Sequence, residues 1–160
     1  MVNNISFQGK FQISQKMKTK CYYNQVLTKK NEKKLMKDFE NMTIKSPYIL
    51  ELTDDNPITK YSLFTLKEGN NVLASRYAKF WNNPEKMKVE NLLEIFEKLI
   101  IKKEYDEKLQ NLHDYYQKTK KVLLKFNKEQ DLAMFEDKYY KEIKSLNMDY
   151  AEKLGEILYG

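Results

Sequence analysis

The chain has 160 residues, 41% of them hydrophobic, and a formal net charge of +6 at pH 7. That is enough apolar material for one ordinary core and excludes disorder throughout. No apolar run approaches the roughly 20 residues that span a bilayer, and "MVNNISFQGKFQ" lacks the features of a secretion signal, so a soluble, cytoplasmic protein with no membrane partner is expected.

The charge is unevenly placed. Residues 1–82 carry 14 Lys/Arg against 7 Asp/Glu, whereas residues 83–160 carry 15 against 16. Within the first part, residues 10–37 hold nine lysines and one acid, Glu32, which sets up a local field of one sign. Glycine, alanine, proline and arginine are scarce while Lys, Asn, Ile and Tyr abound, a bias that an AT-rich coding sequence also explains.

In chain order, Ile5, Phe7, Phe11 and Ile13 alternate with polar residues, the period of a strand with one buried face. Gly9 falls on the buried side and marks a bulge or a close backbone approach. Tyr22, Tyr23, Val26 and Leu27 read as a second strand. From Asn31 as N-cap, Leu35, Phe39 and Met42 recur at helical spacing until Ser46 and Pro47 break the pattern. "YILELT" and "TKYSLFTL" are β-prone runs joined by "DDNP", which predicts an antiparallel hairpin, and "KEGNN" is a further turn.

Residues 72–81, "VLASRYAKFW", fit both periods. The alanines, Asn70 and Asn71 as cap candidates and the stop at "NNP" favour a helix. In either reading Arg76, the one arginine, and Trp81, the one tryptophan, do not share a face. Trp81 goes with Tyr77 toward the core, and Arg76 is left for outward work.

From Pro84 onward the pattern is helical. Asn83 and Pro84 open a segment with Val89, Leu92, Leu93, Phe96, Leu99 and Ile100 as its apolar face. A heptad seam follows through Tyr105, Leu109, Leu112, Tyr116, Thr119, Leu123 and Phe126, and a second through Leu132, Phe135, Tyr139, Ile143, Leu146, Tyr150, Leu154 and Ile157. Asn127 is placed to cap the second helix, so an antiparallel coiled-coil hairpin is expected, with a homodimer through it as the rival use of the seams. The fold class is therefore α+β. An antiparallel sheet of three or four strands with one or two helices occupies residues 1–82, and a long helical hairpin occupies residues 83–160.

Catalytic signatures are missing. There is no phosphate-cradling glycine loop and no nucleophile elbow. One cysteine and one histidine, Cys21 and His113, cannot build a disulfide or a zinc cage. No cofactor or resident metal is expected. A Mg²⁺-dependent nuclease built on Glu51, Asp54, Asp55 and Lys60 is the most defensible enzyme reading, and a Cys21/His113 nucleophilic pair is the other that the residue types allow.

The favoured reading is a non-catalytic binding protein whose partner is nucleic acid or a protein complex that handles it. An inhibitor of a host defence complex carried by a phage or other mobile element is one such protein, and a sequence-nonspecific nucleic-acid binder is the alternative. Lys10, Lys16, Lys18, Lys20, Lys29, Lys30, Lys33, Lys34 and Arg76 are the candidates for an anionic partner. Tyr22, Tyr23, Tyr115 and Tyr140 are the candidates for a protein interface. Because lysine dominates and arginine is nearly absent, backbone contact is expected rather than base readout.

Overall fold

The computed structural model describes residues 9–54, 62–78 and 87–159. The chain divides into two compact units, residues 1–100 and 101–160. The boundary expected at 82/83 falls outside the described residues. Residues 89–100 belong with the first unit because Leu92, Phe96 and Leu99 are buried in its core.

The first unit is a four-stranded sheet, β1 (Lys10–Ile13), β2 (Ile49–Thr53), β3 (Ser62–Glu68) and β4 (Asn71–Ala78), in spatial order 1-2-3-4. β2–β3 and β3–β4 are antiparallel, as the hairpin pattern requires. β1 is parallel to β2, pairing Phe11 with Leu50 and Ile13 with Leu52, which makes the sheet mixed. The cause is the connection, because two helices, α1 (Gln15–Tyr23) and α2 (Lys29–Met42), lie between the strands and form the crossover that a parallel pair needs. Ile5 and Phe7 of the expected first strand lie outside the described residues.

Phe11, Ile13, Leu50, Leu52, Phe64 and Leu66 share one face by register and are buried under the helices. Phe39 of α2 lies at the centre, 5.9 Å from the ring of Phe11 and 5.2 Å from that of Phe96 in an edge-on arrangement. Gly9 fulfils the close-approach reading. Its N–H donates to the carbonyl of Thr43 at 2.9 Å, and a Cβ there would stand 2.3 Å from Thr43 Oγ1.

Several expectations are corrected. The strand placed at residues 22–27 is not formed. Tyr22 and Tyr23 end α1, whose N-cap Ser14 accepts from the Met17 N–H at 3.3 Å and whose inner face is Met17 and Cys21, four apart and fully buried. Val26 and Leu27 follow as buried loop residues. There the Val26 N–H reaches the Cys21 carbonyl and the Gln25 N–H reaches that of Tyr22, a Schellman closure with Gln25 at φ +57°.

The cap of α2 is Thr28 rather than Asn31, since Thr28 Oγ1 accepts from the Asn31 N–H at 3.2 Å. Leu35 and Phe39 face inward as expected, whereas Met42 is exposed.

Residues 71–78 form strand β4 and not a helix. A seven-pair ladder with β3, from Ser62–Ala78 to Glu68–Asn71, outweighs the helix preference of two alanines, and the Gly69 turn at φ +59° sets its register. Tyr77 is 60% exposed, against its expected place in the core, and stands on the opposite sheet face from Arg76. Trp81 lies outside the described residues.

The second unit comes from the later part of α3 (Val89–Lys125) and from α4 (Glu129–Tyr159). Stacking of Tyr105 on Tyr150 (4.4 Å) and of Tyr116 on Tyr139 (4.2 Å) fixes an antiparallel hairpin along the expected seams. Tyr116 donates its hydroxyl to Glu136 at 2.9 Å, and this bond pushes the phenol up to about 12. Asn127 closes α3 instead of opening α4. At φ +52° its N–H bonds the Leu124 carbonyl while that of Lys128 bonds Leu123, and the Lys128 carbonyl then receives the Leu132 N–H. No helix among the described residues is long and apolar enough to cross a membrane.

Candidate anion-binding site

Six of the nine lysines of residues 10–37 fall into three groups once α1 and α2 are in place. Lys16 and Lys20 face the end of β2, where both approach the carboxylate of Asp54, which is 3% exposed. That carboxylate is held by cations and left little contact with water, so these two lysines do structural work. Lys18 makes an ion pair of 2.9 Å with Glu32, and the Tyr22 hydroxyl donates to the same carboxylate. Glu32 is buried and ties α1 to α2.

The third group is different. Lys29, Lys30 and Lys33 stand in the first turns of α2 and line a concavity of about 560 Å³ together with Tyr22, Glu32 and Met36. None of the three makes an ion pair among the described residues. They also crowd the positive end of the α2 dipole, the end at which cations are disfavoured and an anion is stabilised. The one acid of this turn, Glu32, is already taken by Lys18 and Tyr22. The concavity therefore offers three uncompensated cations, an aromatic edge and an apolar wall at Met36.

The remaining candidates lie apart. Lys10 is on the polar side of β1, and Lys34 is on the exposed surface of α2 but does not line the concavity. Arg76 is exposed on β4, at the opposite edge of the sheet from β1. Tyr23 is 87% exposed at the end of α1. Tyr115 and Tyr140 are exposed on the hairpin of the other unit, where Tyr115 meets Phe135 edge to ring and Tyr140 meets Tyr139 in a tilted pair. Glu32 and Met36 were not among the expected site residues. Their signal was present, because residues 32, 35 and 39 step along one face of α2, which buries the single acid of the basic stretch.

The nuclease constellation does not assemble among the described residues. Glu51 points to the sheet face away from Leu50 and Leu52 and pairs with Lys67 at 3.4 Å, while Asp54 is held by Lys20 on the helix side. Asp55 and Lys60 lie outside the described residues. Among those described, no group of three or more His, Cys, Asp or Glu could hold a metal ion.

Cys21 is fully buried, and burial first, with Glu32 second, pushes its thiol up to about 11. At neutral pH the nucleophilic thiolate is therefore nearly absent. The native protein is expected to resist iodoacetamide at pH 8 and to react only after unfolding. Rapid stoichiometric alkylation of the folded chain would contradict this burial. His113 is exposed with its Nδ1 3.3 Å from the Tyr139 hydroxyl, in the unit that does not contain Cys21.

No family model matches the chain, and no curated protein or solved structure is similar to it.

Proposed function

We propose that this is a non-catalytic binding protein that takes a phosphate-bearing polymer on the α1–α2 face of its first unit. Lys29, Lys30 and Lys33 contact the backbone, and sequence plays little part. The observation that carries the reading is that these three lysines line one concavity with no ion pair of their own, its single carboxylate Glu32 being engaged by Lys18 and Tyr22, while all three lysines of α1 are in ion pairs. Phosphate contacts of this kind position a partner without reading bases, and lysine supplies point charge rather than the forked geometry of arginine.

Binding of a fluorescent single-stranded oligonucleotide to the full chain tests the proposal. Loss of binding in the Lys29→Glu/Lys30→Glu/Lys33→Glu variant, with helicity unchanged, supports it. Equal binding by that variant overturns it.

A second reading has its own observation. Tyr115 and Tyr140, 59% and 63% exposed on the hairpin, are aromatic anchors of the kind that protein interfaces use. In that reading the chain inhibits a nucleic-acid-handling complex, the defence complex of a host cell being the case expected for a mobile-element protein, and the lysine face meets an acidic surface of the target. It wins over the first if Tyr115→Ala or Tyr140→Ala removes activity in cells while the lysine reversals leave it intact.

A further inference from the structure

Two paired helices turn one stripe each toward the other and leave their flanks wet, so a hairpin alone does not enclose a core. The second unit follows this rule closely. Tyr116 is its single buried residue among those described, and the other seam positions are half-buried or, at Phe126, exposed. On α3, Tyr115, Val122 and Phe126 stand at i, i+7 and i+11 and form an apolar stripe that is 59%, 54% and 64% exposed.

Charge divides the same hairpin lengthwise. From Tyr115 to Lys128 there are five lysines, Lys118, Lys120, Lys121, Lys125 and Lys128, and no acid. Glu129 and Asp131 open α4 at the same tip and offset part of this charge, which leaves the tip with a positive excess. No ion pair engages any of the five among the described residues.

At the other end of the hairpin the sign reverses. Lys103 pairs with Glu107 and Lys153 with Asp149, and the exposed carboxylates Glu104, Asp106, Glu152 and Glu156 outnumber the other two lysines of this end, Lys102 and Lys108. One end thus carries excess positive and the other excess negative charge, with about 17 residues of helix from Glu104 to Lys121, or roughly 26 Å.

We infer that the hairpin pairs with that of a second copy of this chain, tip against base about a two-fold axis, covering the stripe of Tyr115, Val122 and Phe126. Each copy then sets its five tip lysines against Glu104, Asp106, Glu152 and Glu156 of the other. The two-fold repeats the same contact twice, as an isologous dimer requires. Tip-to-tip pairing is disfavoured because it would bring two ends of net positive charge together. A second copy fits better than a uniformly charged partner, since the surface itself carries both signs in complementary positions. This inference uses a surface separate from the α1–α2 face, and each stands or falls alone.

The test is the mass of the full chain by light scattering across a concentration series at low salt, with charge reversals at each end. The wild type is expected to approach twice the single-chain 19.3 kDa. Lys121→Glu/Lys125→Glu should give monomer, and so should Glu104→Lys/Glu152→Lys. Combining all four changes in one chain should restore the dimer, which excludes misfolding as the cause of the single-ended losses. A wild type that stays monomeric at every concentration overturns the inference. So does a dimer indifferent to both reversals, or a combined variant that remains a monomer while keeping its helical circular dichroism.

Discussion

Replacing Phe39 by alanine is expected to destabilise the first unit by about 3–5 kcal/mol, the range for removing a buried aromatic ring. Phe39 has no exposed surface and bridges Phe11 of the sheet to Phe96 of α3 through two ring contacts. Truncation removes both contacts and leaves a cavity that three elements must collapse to fill. Tilted and edge-on pairs add about 0.5–1.5 kcal/mol each to the transfer of the ring from water. Since a domain of this size has roughly 5–15 kcal/mol in all, about a fifth or more of its stability should vanish. Urea unfolding of the two proteins measures this, and a loss below about 1 kcal/mol would mean that the aromatic cluster is not the centre of the core. The same residue fixes α2 on the sheet, so the lysines of its first turn depend on it indirectly.

The second large effect concerns affinity. If Lys29, Lys30 and Lys33 each neutralise one phosphate, the slope of log K against log salt contains about −2 from them on a single strand and nearly −3 on a duplex. Raising salt from about 50 to about 200 mM then weakens binding by roughly 20-fold or roughly 40-fold respectively. Reversing all three charges should remove that part of the slope and lower affinity at the lower salt by at least the same factor. A variant with an unchanged slope would place the contacts elsewhere on the chain.

Much of the fold was legible because its periods are simple. Phe11 and Ile13 alternate with polar neighbours and are buried as a strand face, and the tyrosine and leucine seams of the second unit pair as heptads do. What failed to show is what depends on partners distant in sequence. In residues 15–23 the inner face is only Met17 and Cys21, with lysines between, too thin a signal to outweigh the β-prone tyrosines that follow. Residues 71–78 satisfied two periods at once, and only the ladder with β3 decided between them. The parallel pairing of β1 was likewise hidden, since no local pattern announces which edge of a sheet a returning chain will join.

The candidate site was half visible. The sequence places nine lysines in residues 10–37, but it does not say which of them a carboxylate will consume. Asp54, read as a turn residue or a metal ligand, instead engages Lys20 and, at 3.9 Å, the exposed Lys16, and Glu32 engages Lys18. The count that matters for an anionic partner is the remainder after these pairings, and it exists only once α1, α2 and the end of β2 are brought together.

The most direct measurement is a titration of the isotope-labelled full chain with a short single-stranded oligonucleotide at low salt, followed amide by amide. The largest shifts are expected within residues 15–36, strongest at Lys29, Lys30 and Lys33, and should reverse on adding salt. Shifts confined to residues 101–159, or none at saturating oligonucleotide, would contradict the α1–α2 site.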